Sequence, residues 1–597
     1  MILQSLARYY EYLRDRHPER VAPPGWCRRD VAFRLEIGSD GSLKAIIPSA
    51  EKRGWSTIVP EQVKRSSGIA ANAFCDNSSY FLGIDGKGKP DRAEKCFNAS
   101  RKLHLSLLQN IKSSAAKAVV SFFETWSPAN AAEHPLLKTA GDALFVGNMV
   151  FSFEGEEVLE DADVRRAWDT ANRSDADGGA VMRCLVTGEE APIARLHPPI
   201  KGIADAQPMG ASLVGFNSAA FESYGHDGEQ GLNAPVSERA AFAYATALNY
   251  LLSDPLHHMR LGDTTMVYWA EGEDDDTCAD IACMMFGGIP PEQRGKGGED
   301  RDEKLHAILR AVSGGLPVGD VDMDAPFYVL GLAPNAARVS VRFFVRDSFG
   351  SILSNIAQHY ERMDIVHAPH EWDYVYPFQI LKEIENPNAK KPSISPSIAG
   401  GLIRSILEDL PYPEALFENA LLRTRASRDD SDTHTRKVSR GRMAILKAYL
   451  IKNRKERITM GLDEERTDVP YVLGRMFAMF EDIQYAANYK PNTSVTLNAT
   501  VKDKYFNAAC ATPALIFPTL VALSEAHARK ARRDNPGAAV RFDKRMRAYM
   551  WCLEDIPESL TQKEQSIFYL GYYHQSQHDI QERTKNKASV AEAEQEA

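Results

Sequence analysis

The chain has 597 residues, 44% of them hydrophobic and 25% charged, with a formal net charge of −10. It is far too long for one ordinary core and has the composition of a soluble globular protein of about three or four domains. No apolar run approaches the roughly 18 to 20 residues of a spanning helix, and the opening MILQSLARYYEYLRDRHPER is amphipathic with early charges, unlike a signal peptide, so a cytoplasmic location is expected.

The opening pattern predicts a helix over Leu3 to Arg14, ended by APPGW at Ala22 to Trp26. VAFRLEI and LKAIIP alternate as two strands around the turn residues Gly38 to Gly41, a β-hairpin. Leu144 to Gly155 reads as a further β run and TANRSDADGG from Thr170 as a loop. Ser237 is an N-cap ahead of a helix from about Glu238 to Leu252. TTMVYWA, FYVLGLA and ARVSVRFFVRD, between Thr264 and Asp347, predict strands of a second sheet, interrupted by a Gly/Pro-rich loop and a helix beginning near Glu303.

Glu385 to Gly400 is the best linker, after which the chain turns helical. From Tyr471 four helical segments suggest a bundle, and Lys585 to Ala597 should fray. The expected class is α+β, with regions 1–170, 171–384, 385–470 and 471–597, the last a helical bundle whose first helix begins at Met476 or Met479.

Eight cysteines, at 27, 75, 96, 184, 278, 283, 510 and 552, form no CxxC pair, which argues against structural zinc and a disulfide framework; Cys184 in RCLVTGEE resembles half a zinc knuckle with no second half. GxxxxGK[ST], GxSxG and HExxH are absent. Asp274, Asp275 and Asp276 could imitate a divalent-metal site but read as a solvated acidic loop, and the adjacent His257 and His258 as loop or core residues. The expectation is no enzyme, no metal and no cofactor; the competing reading is a divalent-metal nuclease using Asp274 to Asp276.

The acidic total conceals basic islands. Lys64 to Lys102 holds eight Lys/Arg against four Asp/Glu, Arg423 to Arg457 twelve against four, and Arg529 to Arg547 eight against two. Overall acidity therefore confines nucleic-acid binding to defined surfaces without excluding it. In the first island Lys64, Arg65, Lys87, Lys89, Arg92, Lys95, Arg101 and Lys102 can neutralise phosphates, Asn72 and Asn77 carry amides able to read base edges, and Ser66, Ser67 and Gly68 allow close backbone approach. The same residues could simply be turn formers between Val63 and Tyr80.

KRSSGIAANAFCDNSSYFLGID, from Lys64, resembles the Arg-(Thr/Ser)-Ser-Gly-Ile run with Asn and Cys-Asp-Asn of the type I-C CRISPR Cascade large subunit. The opening, APPGW, ARLHPPIKGIADAQ from Ala194, FNSAAFESYG from Phe216, NAPVSERAAFAYATALNYLL from Asn233, GDTTMVYWA from Gly262 and PNAARVSVRFF from Pro334 are similar to the same family, in order and over most of the chain.

The resemblance implies a subunit at the crRNA 5′ end of a guided complex. Such a subunit recognises the protospacer-adjacent motif (PAM) in double-stranded DNA and helps open the duplex, working with Cascade backbone subunits and small subunits and docking a helicase-nuclease. Carried over, Lys64, Arg65, Ser67, Asn72 and Asn77 become candidates for the motif contact, with Lys87, Lys89 and Arg92 beside them. Lys201, Gln207 and Asn217 form a wedge or an ordinary loop, although Pro208 and Met209 depart from the family's small polar residues.

Arg436, Lys437, Arg440 and Arg442 would line a path for the displaced strand or the heteroduplex, or be a solvated helix face. Arg529, Lys530, Arg532, Arg533, Arg541, Lys544 and Arg545 would guide the displaced strand, with Tyr572 and Tyr573 as stacking faces or core residues. The family further implies that the piece from Met476 can be made separately as a small subunit.

Overall fold

The computed structural model describes the chain except residues 51–53, 64, 66–67, 87, 175–179, 217–228, 289–297, 370, 388, 390–393, 430–435, 490–499 and 596–597. The fold is α+β, as the sequence predicts, in two compact units: Met1–Lys201 with Met209–Tyr250, and Gly202–Pro208 with Leu251–Ala597. The sequence boundary at 170/171 falls inside the first unit, and those at 384/385 and 470/471 inside the second.

In the first unit, helix α1 (Ile2–Arg16) is followed by β1 (Trp26–Ile37), β2 (Leu43–Pro48), β3 (Trp55–Pro60) and β4 (Cys75–Asp76). Helices α2 (Ser78–Phe81), α3 (Pro90–Leu108), α4 (Ser114–Thr125) and α5 (Pro135–Ala140) lead to β5 (Asn148–Phe153) and β6 (Glu156–Glu157). Next come α6 (Ala162–Ser174), the hairpin β7 (Val181–Arg183) and β8 (Glu190–Pro192), and α7 (Glu238–Ser253). Ser237 caps α7, its Oγ accepting from Ala240 N at 3.3 Å.

Strand β1 organises the sheet. Its second half pairs antiparallel with β2, as the hairpin pattern predicts, while its first half, Trp26 to Val31, pairs antiparallel with β3. On its other edge β5 runs parallel, and β4 closes onto β5 with Cys75 opposite Val150 and Asp76 opposite Met149. The predicted β run from Leu144 starts as strand only at Asn148, because Gly141–Phe145 forms a 3₁₀ turn. One face buries an aromatic cluster: Phe81 lies 4.5 Å from Phe151 by ring centroid and His104 4.6 Å from Phe123.

The second unit begins with β9 (His258–Leu261), β10 (Thr264–Ala270), α8 (Asp275–Met285), α9 (Gly298–Ser313), β11 (Pro326–Asn335) and β12 (Arg338–Ser348). These strands form the predicted second sheet, antiparallel throughout in the order β12-β11-β10-β9. Every residue of β10 is buried, on both faces of the sheet.

Helices α10 (Phe349–Met363), α11 (Pro377–Ile384), α12 (Pro396–Leu407), α13 (Glu414–Ala426) and α14 (Arg440–Arg454) follow, then α15 (Val469–Asn488), α16 (Val501–Ala511), α17 (Pro513–Asp534), α18 (Pro536–Cys552) and α19 (Gln562–Gln595). The sequence reading missed α16, and α19 runs to Gln595, into the segment expected to fray. The C-terminal helices share one hydrophobic core with the second sheet. Helix α15 starts at Val469, so Met476 and Met479 lie inside it, both buried. Tyr471, ahead of both, bonds His574 Nδ1 through its hydroxyl at 3.0 Å.

Two glycines allow α15 and α19 to approach. A Cβ on Gly474 would lie 2.1 Å from the Phe568 carbonyl oxygen, and one on Gly571 2.3 Å from that of Tyr471. Gly474→Ala must push the helices apart, and we expect it to destabilise the second unit by about 1–3 kcal/mol, read as a lowered urea midpoint.

Candidate nucleic-acid interface

Residues of the first basic island converge on a groove of about 950 Å³ in the first unit. Its walls include Arg65, Asn77, Tyr80, Lys89 and Arg92 from the island, and Asp142, Phe145, Val146 and Asn148 from the segment leading into β5. The sequence reading missed this second wall because it is neither basic nor part of the resembling motif. Its cue is Val146, an apolar residue left 73% exposed beside a glycine.

The loop before β4 is built around the Asp76 carboxylate, whose side chain is 2% exposed. Its Oδ1 accepts from Arg65 Nη1 and from the Asn77 backbone N–H, each at 2.9 Å, and its Oδ2 accepts from Arg65 Nη2 and, at 2.9 Å, from Asn72 N–H. Arg65 also stacks 3.9 Å above the Tyr80 ring, and the Tyr80 hydroxyl accepts from Ala70 N–H at 3.3 Å.

This geometry corrects two sequence assignments. Arg65 spends both terminal nitrogens on Asp76, so it shapes the groove wall and is not poised as a free phosphate ligand. Asn72 is buried and its Oδ1 accepts from Val63 N–H at 2.8 Å, which makes it a loop staple. Asn77 caps α2, its Oδ1 accepting from Ser79 N–H at 3.0 Å, while the residue still lines the groove. Lys89 and Arg92 are exposed at the start of α3, where Asp85 Oδ2 accepts from Lys89 N–H at 2.7 Å. Lys64, Ser66, Ser67 and Lys87 lie outside the described residues.

Phe74 adopts a left-handed backbone, φ 56°, and His104 fixes it: Phe74 N–H donates to His104 Nε2 at 2.9 Å, while Nδ1 lies 2.8 Å from Ser100 O and donates to it. Complete burial holds the imidazole neutral, at about 4 against an ordinary 6.5.

Of the wedge residues, Lys201 belongs to the first unit, where its N–H donates to Asn249 Oδ1 at 2.8 Å, and Gln207 is exposed in the second. Asn217 lies outside the described residues.

The second island is largely structural. Lys437 is buried and its Nζ donates to the carbonyls of Arg425 at 3.0 Å and Ser427 at 3.1 Å. Arg442 is buried among the carbonyls of Glu383, Arg436 and Lys437, with the Glu383 carboxylate 3.3 Å away. Arg440 donates to Trp372 O and Asp373 O. Arg436 is exposed.

In the third island Arg532 pairs with Asp543 at 2.7 Å, Arg533 with Asp534 at 3.0 Å and Arg545 with Asp579 at 2.7 Å, and Lys530 donates to Asn488 Oδ1 at 2.7 Å. Arg529, Arg541, Lys544 and Arg547 are exposed. The last three follow one outer arc of α18 toward Trp551, which is 91% exposed and was not singled out from the sequence. Tyr572 and Tyr573 are core residues, their hydroxyls donating to Glu481 Oε2 at 2.5 Å and Val366 O at 2.8 Å.

The acidic run is less solvated than predicted. Asp274 stands at the N-cap position of α8 without a side-chain cap bond, its Oδ2 accepting instead from Asp322 N–H at 3.1 Å, while Asp275 is buried and accepts from Ala270 N–H at 2.7 Å. His257 is buried with Nδ1 3.1 Å from Tyr268 O and Nε2 3.4 Å from Asp276 Oδ1, so His257, Asp275 and Asp276 bring three ligand-type atoms within 4.8 Å. Asp275 and Asp276 lie in the first turn of α8, where carboxylates are stabilised without a metal. Cys184 is buried, and although burial alone would raise its thiol, hydrogen bonds from the hydroxyl and N–H of Ser237 and from Thr187 hold it down at about 7.

Two outcomes follow for the groove. Asp76→Ala strands four donors and should destabilise the first unit by about 3–5 kcal/mol in denaturant melts, whereas Lys89→Ala should change stability by less than about 0.5 kcal/mol. Because the pKa of His104 is depressed on folding, its contribution is full above about pH 6.5 and is lost as pH falls toward 4. The unfolding free energy should therefore drop by about 1.4 kcal/mol per pH unit for this residue across that window, a slope that pH-stepped urea melts would resolve.

Among the described residues no helix is long and apolar enough to cross a membrane. No curated protein matches the chain. The family described as CRISPR-associated protein (Cas_Csd1) matches residues 6–579, nearly the full length and across both units. The chain belongs to the Csd1 family of CRISPR-associated proteins.

Proposed function

We propose that the chain is the large subunit of a type I-C crRNA-guided Cascade complex, and that its 950 Å³ groove receives the flank of a duplex target and reads the PAM there before the guide pairs. The observation that carries this reading is convergence. The exposed cations Lys89 and Arg92, the cap amide of Asn77 and the apolar Val146 line one concavity, and Asn77 lies inside the segment that resembles the family's motif.

Cations supply phosphate affinity without sequence information, and amides supply discrimination. A guided complex needs little more from its protein, since base pairing reads the rest of the target. In this reading the chain acts by binding and not by cleavage. Lys201 and Gln207 assist duplex opening, the outer arc of α18 steers the displaced strand, and the assembled subunit docks the helicase-nuclease.

Lys89→Ala/Arg92→Ala in a reconstituted guide-loaded complex should weaken duplex binding about tenfold or more and lower the salt slope by about 1.8, with single-stranded target bound as before. Unchanged duplex affinity would refute the groove. Incubation with magnesium or manganese should leave DNA intact; cleavage lost on changing Asp274 to Asp276 to Asn would favour the nuclease reading instead.

A further inference from the structure

We propose that the second unit carries a zinc site built from His257 Nε2, Asp275 Oδ2 and Asp276 Oδ1, which clamps the turn ahead of β9 to the first turn of α8. The site belongs to a different unit from the groove, and its role is structural and independent of DNA binding.

His257 is fully buried, and two bonds to one residue hold it: its carbonyl accepts from Tyr268 N–H at 3.0 Å, and its Nδ1 lies 3.1 Å from Tyr268 O. A carbonyl oxygen only accepts, so the proton sits on Nδ1 and the neutral ring presents a lone pair at Nε2. That nitrogen faces carboxylates. Asp276 Oδ1 is 3.4 Å away and Asp275 Oδ2 3.9 Å away. Asp275 is aimed by its other oxygen, Oδ1, which accepts from Ala270 N–H at 2.7 Å. All three ligand atoms lie within 4.8 Å of one another. Asp274, part of the acidic run in the sequence, turns instead to the Asp322 N–H.

Three lone pairs converging in a buried place repel one another unless a cation lies among them, either a proton on Nε2 or a metal ion. The first turn of α8 stabilises its two carboxylates but offers nothing to the imidazole. Three features favour the metal ion. The bond from Nδ1–H to a main-chain carbonyl is the outer contact that orients metal-binding histidines. A tetrahedral ion with bonds of about 2.0–2.1 Å sets its donor atoms about 3.3–3.4 Å apart, a spacing that Asp276 meets and Asp275 approaches. The Asp276 side chain is 49% exposed, which leaves an entry path and room for a water to complete the shell. One imidazole with two carboxylates suits Zn²⁺ better than Mg²⁺ or Ca²⁺, which take oxygen ligands.

The test is calorimetric titration of the full-length chain, first stripped with a chelator, with Zn²⁺ and separately with Mg²⁺. We expect one Zn²⁺ per chain with a Kd of about 1 μM or below, and Mg²⁺ at least about a hundredfold weaker. Asp276→Ala should weaken Zn²⁺ at least about tenfold, and Asp274→Asn should leave it within about twofold. Anomalous scattering at the zinc edge from wild-type crystals needs no variant and should place the ion about 2.0–2.2 Å from the three atoms. Any one of three results overturns the site: no saturable Zn²⁺ binding below about 1 mM, binding unchanged in Asp276→Ala, or an anomalous peak elsewhere. His257 is then an imidazolium, with a proton in the place of the metal.

Discussion

The buried carboxylate of Asp76 holds the first unit's functional surface together. One side chain terminates β4, binds both terminal nitrogens of Arg65 and accepts the N–H groups of Asn72 and Asn77, so the loop before the strand and the cap after it close on a single group. A buried carboxylate is costly unless every lone pair is used, and here four donors use them. The same contacts put Arg65 flat on Tyr80 and aim the segment into α2, which gives the groove one of its walls. His104 performs the matching task two residues earlier, holding Phe74 in a backbone conformation that its side chain disfavours.

Cation-rich sequence has two physical outcomes in this molecule. Lys437 and Arg442 are wrapped in main-chain carbonyls and tie the loop before α14 to its surroundings, a role that long, multi-donor side chains can fill when carbonyls surround them. Lys89, Arg92, Arg541, Lys544 and Arg547 stay on the surface. The difference lies in helix register. Arg541, Lys544 and Arg547 recur every three residues on the side of α18 opposite Phe542 and Tyr549, which are buried. Net charge per segment cannot separate these outcomes, because it carries no record of which face a residue occupies.

The two glycines at the α15–α19 crossing and the shared core explain why the C-terminal helices are integral to the second unit. Tyr573 reaches the Val366 carbonyl and Arg425 donates to Gln565, so polar side chains tie α19 to elements far earlier in the chain. The helices therefore inherit stability from the sheet-bearing part as well as from each other.

The sequence by itself determined the class of element along most of the chain, because hydrophobic period and turn chemistry are local: the β1–β2 hairpin, the strands from Thr264 to Asp347, the Ser237 cap and the helical C-terminus stand where the pattern puts them. It also determined the family, through short motifs in a fixed order. The groove was legible only by one wall. Asn148 and Val146 lie more than sixty positions beyond Asn77 and Tyr80, and only the pairing of β4 with β5 brings them together. The roles of Arg65 and Asn72 reversed for the same reason: whether a guanidinium or an amide faces solvent depends on which buried partner the folded chain sets against it, and here the partners are the Asp76 carboxylate and the Val63 N–H. Composition fixes how many such groups exist; tertiary structure decides which of them are already satisfied and which remain to meet a ligand.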